Sequence, residues 1–337
     1  MQSAPLSAVI VTWNGRRYLP SCLEALRPQM PPGGEIILVD NGSVDGSAGW
    51  ARERAPDVRL LELGHNHGFA GGVDAGLRAA HGDLLLLIND DAFIEPGFIP
   101  ALLAAADAMP EVGAFAAVLT FNHRPELVAS AGVRLRRDGL ALDLWPGLPV
   151  SELPDAPRPV AGPSGGGALY RRALLEDIGL MEPAFFNYLE DADLVWRALL
   201  RGWRSAVVPA ARARHVYSAT SGHGSSFKQR LLGRNRIRTI VRCVPAPLLA
   251  RCLPAIVAYD LMACAHALLT RRTAPVAGRI EALRELPELL RQRRAIQARR
   301  TAPVAQIASW LEPVTAPWQT LRAQRRLDAI LKSRDVL

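Results

Sequence analysis

The sequence predicts an α/β fold, with an open, mostly parallel sheet flanked by helices and a helical C-terminal region after it. In the first 90 residues, short apolar runs alternate with helical patterns, an order that is typical of right-handed crossovers in an open sheet. The run L-L-L-L-I at 84–88 is apolar throughout, as expected for a parallel strand covered on both faces. Beyond about residue 226 the pattern is helical and is punctuated by prolines.

Each predicted element follows from the local pattern. Strands are expected at 7–12, 35–40, 58–63 and 83–89, and helices at 18–26, 47–54 and 71–80. Residues 122–163 are rich in Pro, Gly, Arg and Asp with weak periodicity, so a long excursion with loop character is expected there. A second block is predicted with strands at 165–170 and 205–208 and helices at 171–178 and 190–200, the last ending at Gly202. A boundary at 222–226 separates an expected domain at 1–222 from a helical, basic region at 223–337.

The charge of the chain is unevenly distributed. The 337 residues carry a formal net charge of +8, and basic residues concentrate at 228–242, 271–300 and 322–334. Such clusters indicate an anionic partner, either a membrane surface or nucleic acid, or they solvate long helices. Composition leaves both interpretations open.

Cysteine spacing and hydropathy bear on the compartment. The four cysteines form no C-x-x-C pair, so we expect small apolar fillers in a reducing compartment. The chain starts without a basic segment followed by an apolar one, and no secretory signal is expected. The apolar stretch 244–269 is interrupted by Arg251, Pro254, Asp260 and His266. We therefore expect no membrane span there, which leaves a helix lying on a membrane surface as the alternative.

An acidic motif, Asn89-Asp90-Asp91, follows the most apolar predicted strand. Two adjacent carboxylates repel each other, so both stay ionised only with a cation or strong donors nearby. Hard oxygen ligands in this position suit Mn²⁺ or Mg²⁺, with a diphosphate completing the shell. A solvated turn is the competing interpretation.

A second acidic motif, Y-L-E-D-A-D, contains Glu190, Asp191 and Asp193. At helical spacing Glu190 and Asp193 share a face, and Asp191 is turned away by roughly 100°. Acids in a first turn also suit the helix dipole. Three acids after the aromatic F-F-N-Y are more than a cap needs, and a carboxylate beside an aromatic wall can act as a general base.

Three further features have both a functional and a structural interpretation. The glycine-rich segment at 66–77 lets backbone N–H groups approach a phosphate, or is a plain helix entry. Asp40 ends the second predicted strand, where an acid accepts from a ribose hydroxyl or starts a turn. His215 is either a metal ligand or a structural histidine.

In this order the motifs resemble the inverting family 2 glycosyltransferases with the GT-A fold, and in particular rhamnosyltransferase-like bacterial members. The resemblance covers roughly residues 5–220 and is carried by V-I-V-T-W-N-G (9–15), I-L-V-D-N-G-S-V-D-G-S (37–47), N-H-G-F-A-G-G (66–72), L-L-I-N-D-D-A (86–92), F-F-N-Y-L-E-D-A-D-L-V-W-R (185–197) and R-G-W-R (201–204). Two positions depart from the family pattern. The D-x-D-like motif begins with Asn89, and Asp74 stands where Asn is more usual, which puts a sugar contact there in doubt.

The resemblance implies a Rossmann-like nucleotide-binding half and a role for each motif. The residues expected to bind the donor nucleotide, its diphosphate or its sugar are Thr12, Asn14, Asp40, Asn66, Gly68 and Asp90. Asp91 and His215 are expected at the metal, Mn²⁺ or Mg²⁺. Asp191 is expected to be the general base, with Glu190 beside it.

The implied activity is metal-dependent transfer of a sugar, rhamnose first, from a nucleoside-diphosphate sugar to a hydroxyl of a lipid-linked or polysaccharide acceptor. The expected place is cytoplasmic, at the inner face of the cell membrane, with peripheral contact through the C-terminal region. Three other functions fit the residues less well. A nucleotidyltransferase fits the loop T-W-N-G-R-R poorly. A nucleic-acid partner for the arginine-rich tail is not expected, since no aromatic residue lies between Arg271 and Arg300. The intact acids argue against a non-catalytic sugar-nucleotide binder.

Overall fold

The computed structural model describes residues 6–216, 225–315, 322, 327 and 329–331. Part of the predicted boundary at 222–226 and most of the basic run at 322–334 lie outside the described residues. The strands of the described part are β1 Leu6–Thr12, β2 Glu35–Asp40, β3 Arg59–Glu62, β4 Leu84–Asn89, β5 Ala92–Ile94, β6 Val112–Phe121, β7 Arg124–Ser130, β8 Val133–Arg136, β9 Ala141–Asp143, β10 Arg158–Val160, β11 Gly167–Arg171, β12 Arg204–His215 and β13 Leu311–Glu312. The helices are α1 Leu19–Leu26, α2 Ser47–Arg54, α3 Gly68–Ala79, α4 Phe98–Ala108, α5 Arg172–Ile178, α6 Glu190–Arg201, α7 Ser226–Cys243, α8 Ala246–Leu269, α9 Ala274–Arg284, α10 Leu286–Ala298 and α11 Val304–Ala308.

The N-terminal half is the predicted parallel sheet with helices on both faces. Strands β3, β2, β1 and β4 are neighbours in that order and run parallel. Side chains of β1 alternate between the two layers: Ile10 packs in the cluster that includes α1 and α4, and Val9 in the cluster that includes α3 and α6. The glycines of α3 bring that helix close to β1, since a β-carbon on Gly76 would lie 2.4 Å from Val9 Cγ1. The expected fold class is confirmed.

The sheet continues with mixed strand directions. Strand β11 pairs antiparallel with both β4 and β6, and β12 runs parallel to β6. Strand β12 is much longer than the predicted 205–208, because a register shift between Val208 and Arg212 accommodates Pro209 within the strand. This extension places His215 opposite Ala92 of β5, directly after the first acidic motif.

The expectation of loop character for 122–163 is only partly right. The segment contains β7 to β10, and β8 and β9 join β13 in a separate three-stranded sheet. These strands are short and β13 lies far away in sequence, so local periodicity does not show the pairing. Strand β5, helix α4 and strand β6 lie at 92–121, for which no element was predicted.

The C-terminal helices pack onto the sheet domain through α7. Ile240 and Cys243 of α7 share an apolar cluster with Val195 and Leu199 of α6. No disulfide joins the four cysteines, and Cys22, Cys243 and Cys252 are buried as expected for apolar fillers.

Helix α8 covers residues 246–269 of the apolar stretch 244–269. By length and composition it is long and apolar enough to cross a membrane, and only 17% of its most apolar window is buried within the protein. Of the two charged residues that interrupt the sequence pattern, Arg251 is exposed and Asp260 is paired on the protein side. Asp260 accepts from Arg279 Nε at 2.8 Å and also pairs with Arg236. Leu253 and Leu261 are exposed.

Candidate active site

The loops after β1 and β2 are joined by hydrogen bonds. Asn14 adopts a left-handed conformation with φ 56°. Its backbone N–H donates to Ser43 Oγ at 3.0 Å, and its side-chain oxygen accepts from the Val44 N–H at 2.8 Å. The Arg16 N–H donates to Asp45 at 2.9 Å. The two polar loops therefore form one rigid rim at the carboxyl edge of the sheet, where ligands bind in open α/β folds.

Asp40 lies at the base of this rim and is 4% exposed. One carboxylate oxygen accepts from the Ser43 N–H at 3.2 Å, and the other, Oδ1, has no hydrogen-bond partner among the described residues. Buried polar atoms are ordinarily hydrogen-bonded. A ligand hydroxyl or N–H would satisfy this oxygen.

Asn41, which sequence analysis did not single out, links β2 to the start of α3. Its side chain accepts from the His67 N–H at 2.9 Å and donates to Asn66 Oδ1 at 3.2 Å and to the Gly68 carbonyl at 2.9 Å. Asn66 in turn accepts from the Gly68 N–H at 2.7 Å. Helix α3 thus begins at Gly68, three residues before the predicted start. An asparagine in a polar loop gives no sequence signal for this role.

The two carboxylates of the first acidic motif, Asp90 and Asp91, lie in different surroundings. Asp90 accepts from the Thr12 hydroxyl at 2.6 Å, and burial together with the neighbouring Asp91 raises the pKa of Asp90 to about 7. Asp91 points the other way, and its carboxylate lies 3.0 Å from His215 Nε2. Burial lowers the pKa of His215, but the carboxylates of Asp91, Asp143 and Asp90 together outweigh burial, so that this pKa is raised. Asn89 Nδ2 is 3.2 Å from the same ring nitrogen.

This arrangement fits a divalent cation that is completed by a ligand. In the described ranges, no three His, Cys, Asp or Glu side chains converge as a metal site. Asp91 and His215 supply two possible metal ligands. The buried Asn89 Oδ1 has no hydrogen-bond partner in the described part of the chain, so it is a possible third oxygen ligand. A carboxylate and an imidazole suit Mn²⁺, and diphosphate oxygens would supply the remaining ligands.

The second acidic motif begins α6 after a strained turn. Phe186, Tyr188 and Leu189 have φ angles of 64°, 70° and 66°, a conformation that costs roughly 1–2 kcal/mol for a residue with a β-carbon. Such strain persists only where the surroundings impose it, and it concentrates at functional sites.

The three acids of this motif have different surroundings. Asp193 is fully buried, accepts a hydrogen bond from Arg197 Nε at 2.8 Å and forms an ion pair with Arg242, whose Nη1 lies 3.1 Å away, so its role is structural. Glu190 is also buried, and burial and the adjacent Asp191 raise its pKa to about 8. Asp191 is partly exposed and accepts from the Gly165 N–H at 3.0 Å, and desolvation raises its pKa.

Two adjacent glycines bridge the acidic motifs. Gly165 holds Asp191, and a β-carbon on Gly166 would lie 3.5 Å from Asn89 Nδ2 and 3.8 Å from His215 Cε1. The Gly166 carbonyl also accepts from the Asn89 N–H at 3.3 Å. Asp191 and the Asp91–His215 pair therefore lie on either side of one glycine turn. The signal in the sequence is the run G-G-G at 165–167, which was assigned only to a strand.

The structure also brings part of the 122–163 segment to the site. The carboxylate of Asp143, at the end of β9, acts electrostatically on both Asp191 and His215, raising the pKa of each. The Lys228 ammonium of α7 lies 5.0 Å from the centre of the Tyr188 ring. Neither Asp143 nor Lys228 was singled out from the sequence.

Comparison with known proteins agrees with this geometry. The sequence model of the family described as Glycosyl transferase family 2 matches residues 7–179. The N-acetylglucosaminyl-diphospho-decaprenol L-rhamnosyltransferase of Mycobacterium tuberculosis is 32% identical over 241 residues, which cover 64% of this chain and 78% of that protein.

Two solved glycosyltransferase structures share the fold at low identity. A mannosyltransferase from Pyrobaculum calidifontis, in complex with GDP-Man and Mn²⁺, matches with a TM-score of 0.51 at 18% identity over 88% of this chain and 87% of that one. S. aureus TarS 1–349 in complex with UDP-GlcNAc matches with a TM-score of 0.53 at 16% identity over 87% and 90%. These likenesses confirm the GT-A-type architecture. Because the family match spans just over half of the sequence, the chain belongs to glycosyl transferase family 2 and is a glycosyltransferase.

Proposed function

We propose that the protein is a metal-dependent, inverting enzyme that moves a sugar from a nucleoside-diphosphate sugar to a hydroxyl of a lipid-linked or polysaccharide acceptor in cell-envelope glycan synthesis. The observation that carries the proposal is the glycine turn between the acidic motifs. Gly165 holds the carboxylate of Asp191, and Gly166 lies against the Asn89 and His215 side chains. A base and a metal-binding pair that flank neighbouring residues of one turn suit one displacement at a carbon bound between them.

The donor is proposed to bind along the rim formed by the β1 and β2 loops. Asp40 offers the unpartnered oxygen to a ribose hydroxyl or a base N–H, and Asn14 fixes the loop above it. Asn66 and Gly68 begin α3 next to this rim, where backbone N–H groups favour the diphosphate. Asp90, held by Thr12, lines the same edge.

Asp91 and His215 would hold Mn²⁺ or Mg²⁺, which when bound would neutralise charge on the diphosphate leaving group. Asp191 accepts the proton of the acceptor hydroxyl while that oxygen forms its bond to the anomeric carbon. The bond from this carbon to the diphosphate oxygen breaks in the same step, and the diphosphate leaves with the electron pair. One in-line displacement inverts the configuration.

Rhamnose, carried on deoxythymidine or uridine diphosphate, is the donor sugar that we propose first. The support is the name of the mycobacterial relative, an L-rhamnosyltransferase that is 32% identical. The same name describes an N-acetylglucosaminyl-diphospho-decaprenol, which supports a lipid-linked acceptor.

The direct test is transfer from dTDP-rhamnose to a short-chain N-acetylglucosaminyl-diphospho-lipid in Mn²⁺, with the product configuration determined by NMR. We expect inversion and a fall in kcat of roughly 100-fold to 10,000-fold for Asp191→Asn, with donor affinity unchanged. The control is Asp57→Asn, which removes an exposed carboxylate that pairs with Arg27. Retained configuration, or near-normal kcat in Asp191→Asn, would contradict the mechanism.

Membrane contact is proposed through the outer face of α8. Leu253, Val257 and Leu261 recur every four residues and are 48%, 44% and 66% exposed, so they form an apolar stripe. The exposed Arg271 and Arg272 follow the helix. A stripe of this kind beside arginines suits the surface of an anionic bilayer, and we place the protein at the inner face of the cell membrane.

Co-flotation with phosphatidylglycerol vesicles at low salt tests this contact. We expect the wild type to float and the variant Val257→Asp/Leu261→Asp to remain in solution. Val44→Asp adds one negative charge at an exposed position on the β2 loop, and it should float like the wild type, whereas Leu261→Asp, which adds one charge on α8, should float less. Equal flotation of the double variant, or no flotation of the wild type, would rule out α8 as the contact.

A further inference from the structure

Asn235 of α7 lies beneath the strained turn that precedes Asp191. Its side chain is fully buried, and its Nδ2 lies 2.9, 2.9 and 2.7 Å from the carbonyl oxygens of Phe185, Asn187 and Tyr188. An amide group has only two hydrogens, so three carbonyls share them. One side chain of the C-terminal helical region thus holds most of the carbonyls of the turn.

The orientation of this amide is itself fixed by its neighbour. Arg234 donates from Nε to Asn235 Oδ1 at 3.0 Å, which leaves the NH₂ group facing the turn. The same guanidinium donates from Nη2 to the carbonyls of Phe185 at 2.8 Å and Ala184 at 3.1 Å. Arg234 and Asn235 together form a clamp on the turn.

The opposite side of the turn rests on the start of α3. The Phe186 carbonyl accepts from the Ala70 N–H at 3.1 Å, and a β-carbon on Gly68 would lie 2.2 Å from the same oxygen. The turn is therefore held between α7 on one side and the proposed donor-binding segment on the other.

The strain in the turn explains why a clamp is needed. Phe186, Tyr188 and Leu189 all have positive φ angles, and together they cost several kcal/mol relative to ordinary backbone, at about 1–2 kcal/mol each. Without the hydrogen bonds to α7, the chain would relax toward negative φ. Such relaxation would rotate the first turn of α6 and move Asp191 away from the Gly165 N–H, which it reaches at 3.0 Å.

We propose that Asn235 is a positioning residue for the transfer reaction: it holds the 185–189 turn so that the carboxylate of Asp191 stays on Gly165, facing the reacting groups. The proposal rests on the proposed role of Asp191 as the base. It makes α7 part of the catalytic apparatus, although the family match ends at residue 179 and Asn235 does not contact the substrate site itself.

The test begins with Asn235→Asp, which keeps the shape of the side chain but replaces the donor NH₂ with an acceptor oxygen that faces carbonyls. Arg234→Ala is the milder second variant, because it removes only the half-buried outer part of the clamp. Thr239→Val is the control. It changes a buried side chain of the same helix whose hydroxyl has no hydrogen-bond partner in the described residues.

Hydrogen–deuterium exchange of the full chain gives a readout that does not depend on substrate. We expect faster exchange in the peptide 185–193 for Asn235→Asp and, less strongly, for Arg234→Ala, with β4 and the Thr239→Val control unchanged. Unchanged exchange in 185–193 in both clamp variants would overturn the proposal.

Kinetics with dTDP-rhamnose and the short-chain lipid acceptor test the consequence. We expect kcat to fall roughly 10-fold to 100-fold in Asn235→Asp while the donor KM changes little, because misplacement of a catalytic group by about 1 Å costs on this order. In the double variant with Asp191→Asn, Asn235→Asp should cause no further loss, since both changes act through one group.

The outcomes separate the two proposals. If Asp191→Asn alone keeps full activity, Asp191 is not the base and the positioning role falls with it. If Asp191→Asn is inactive but Asn235→Asp has normal kcat, or if the two losses are additive, only the positioning role is wrong.

Discussion

The backbone N–H of Gly165 donates a 3.0 Å hydrogen bond to the side chain of Asp191. The next residue in the chain, Gly166, accepts from the Asn89 N–H and packs against His215. The two acidic motifs are more than 90 residues apart in sequence, and this one turn contacts both of them. The proposed chemistry requires groups from both motifs at one site.

The pH dependence of transfer follows from the surroundings of Asp191. Desolvation raises its pKa above the ordinary value of 3.8, and a base must be deprotonated to act. We therefore expect kcat to rise with pH, with the midpoint of its acidic limb above the range of an exposed carboxyl group. The measurement is kcat from pH 4 to pH 9, with thermal stability followed in parallel. A rate that is constant down to pH 4 would exclude Asp191 as a base with a raised pKa.

Glu190 should make the folded protein less stable at high pH. Burial and the neighbouring Asp191 raise its pKa from 4.5 to about 8, so the folded state keeps a proton that the unfolded chain releases. The contribution of this retained proton to the free energy of unfolding is complete below pH 4.5 and is lost as the pH rises through about 8. Glu190→Gln, which stays neutral, should raise Tm relative to wild type at pH 8–9 and not at pH 4. The exposed Glu53→Gln is the control, and parallel Tm curves for wild type and Glu190→Gln would contradict the account.

Gly68 should tolerate alanine less well than a glycine in open space. A β-carbon there would lie 2.2 Å from the Phe186 carbonyl, and φ is 74°. Gly97 has a φ of 84° with no atom within 4 Å of the same position, so Gly97→Ala isolates the backbone strain of about 1 kcal/mol. In Gly68→Ala, the overlap of the new β-carbon with the Phe186 carbonyl should add roughly 1–3 kcal/mol to the loss of stability. Urea unfolding of both variants measures the difference, and equal losses would show that the turn is not packed against α3.

Much of the parallel half was predictable because each strand and helix is marked locally. The apolar run of β4 predicts a buried strand, and Gly202, with φ 82°, ends α6 where expected. Polar residues placed after parallel strands meet at one edge by topology alone. The family resemblance grouped Asn14, Asp40 and Asp90 as donor-binding residues, and the structure places them at one edge of the sheet.

The features of the site that were not predicted depend on contacts between segments that are distant in sequence. Asn41, Gly165 and Asn235 are ordinary residues in their own surroundings, and each is identified only by what the fold brings to it. The strained turn before Asp191 is likewise invisible in F-F-N-Y-L, since positive φ at aromatic residues contradicts local preference. Local rules fail at this turn because tertiary contacts hold it in place.

Calorimetry can show whether Asp91 and His215 bind a nucleoside-diphosphate sugar through a divalent cation, as we propose. The wild type, Asp91→Asn and the control Asp57→Asn would be titrated with dTDP-rhamnose in Mn²⁺, in Mg²⁺ and in EDTA. We expect binding that requires the metal, is lost in Asp91→Asn and is unchanged in Asp57→Asn. Equal affinity in EDTA, or in Asp91→Asn with Mn²⁺, would show that these two residues do not bind the donor through a metal.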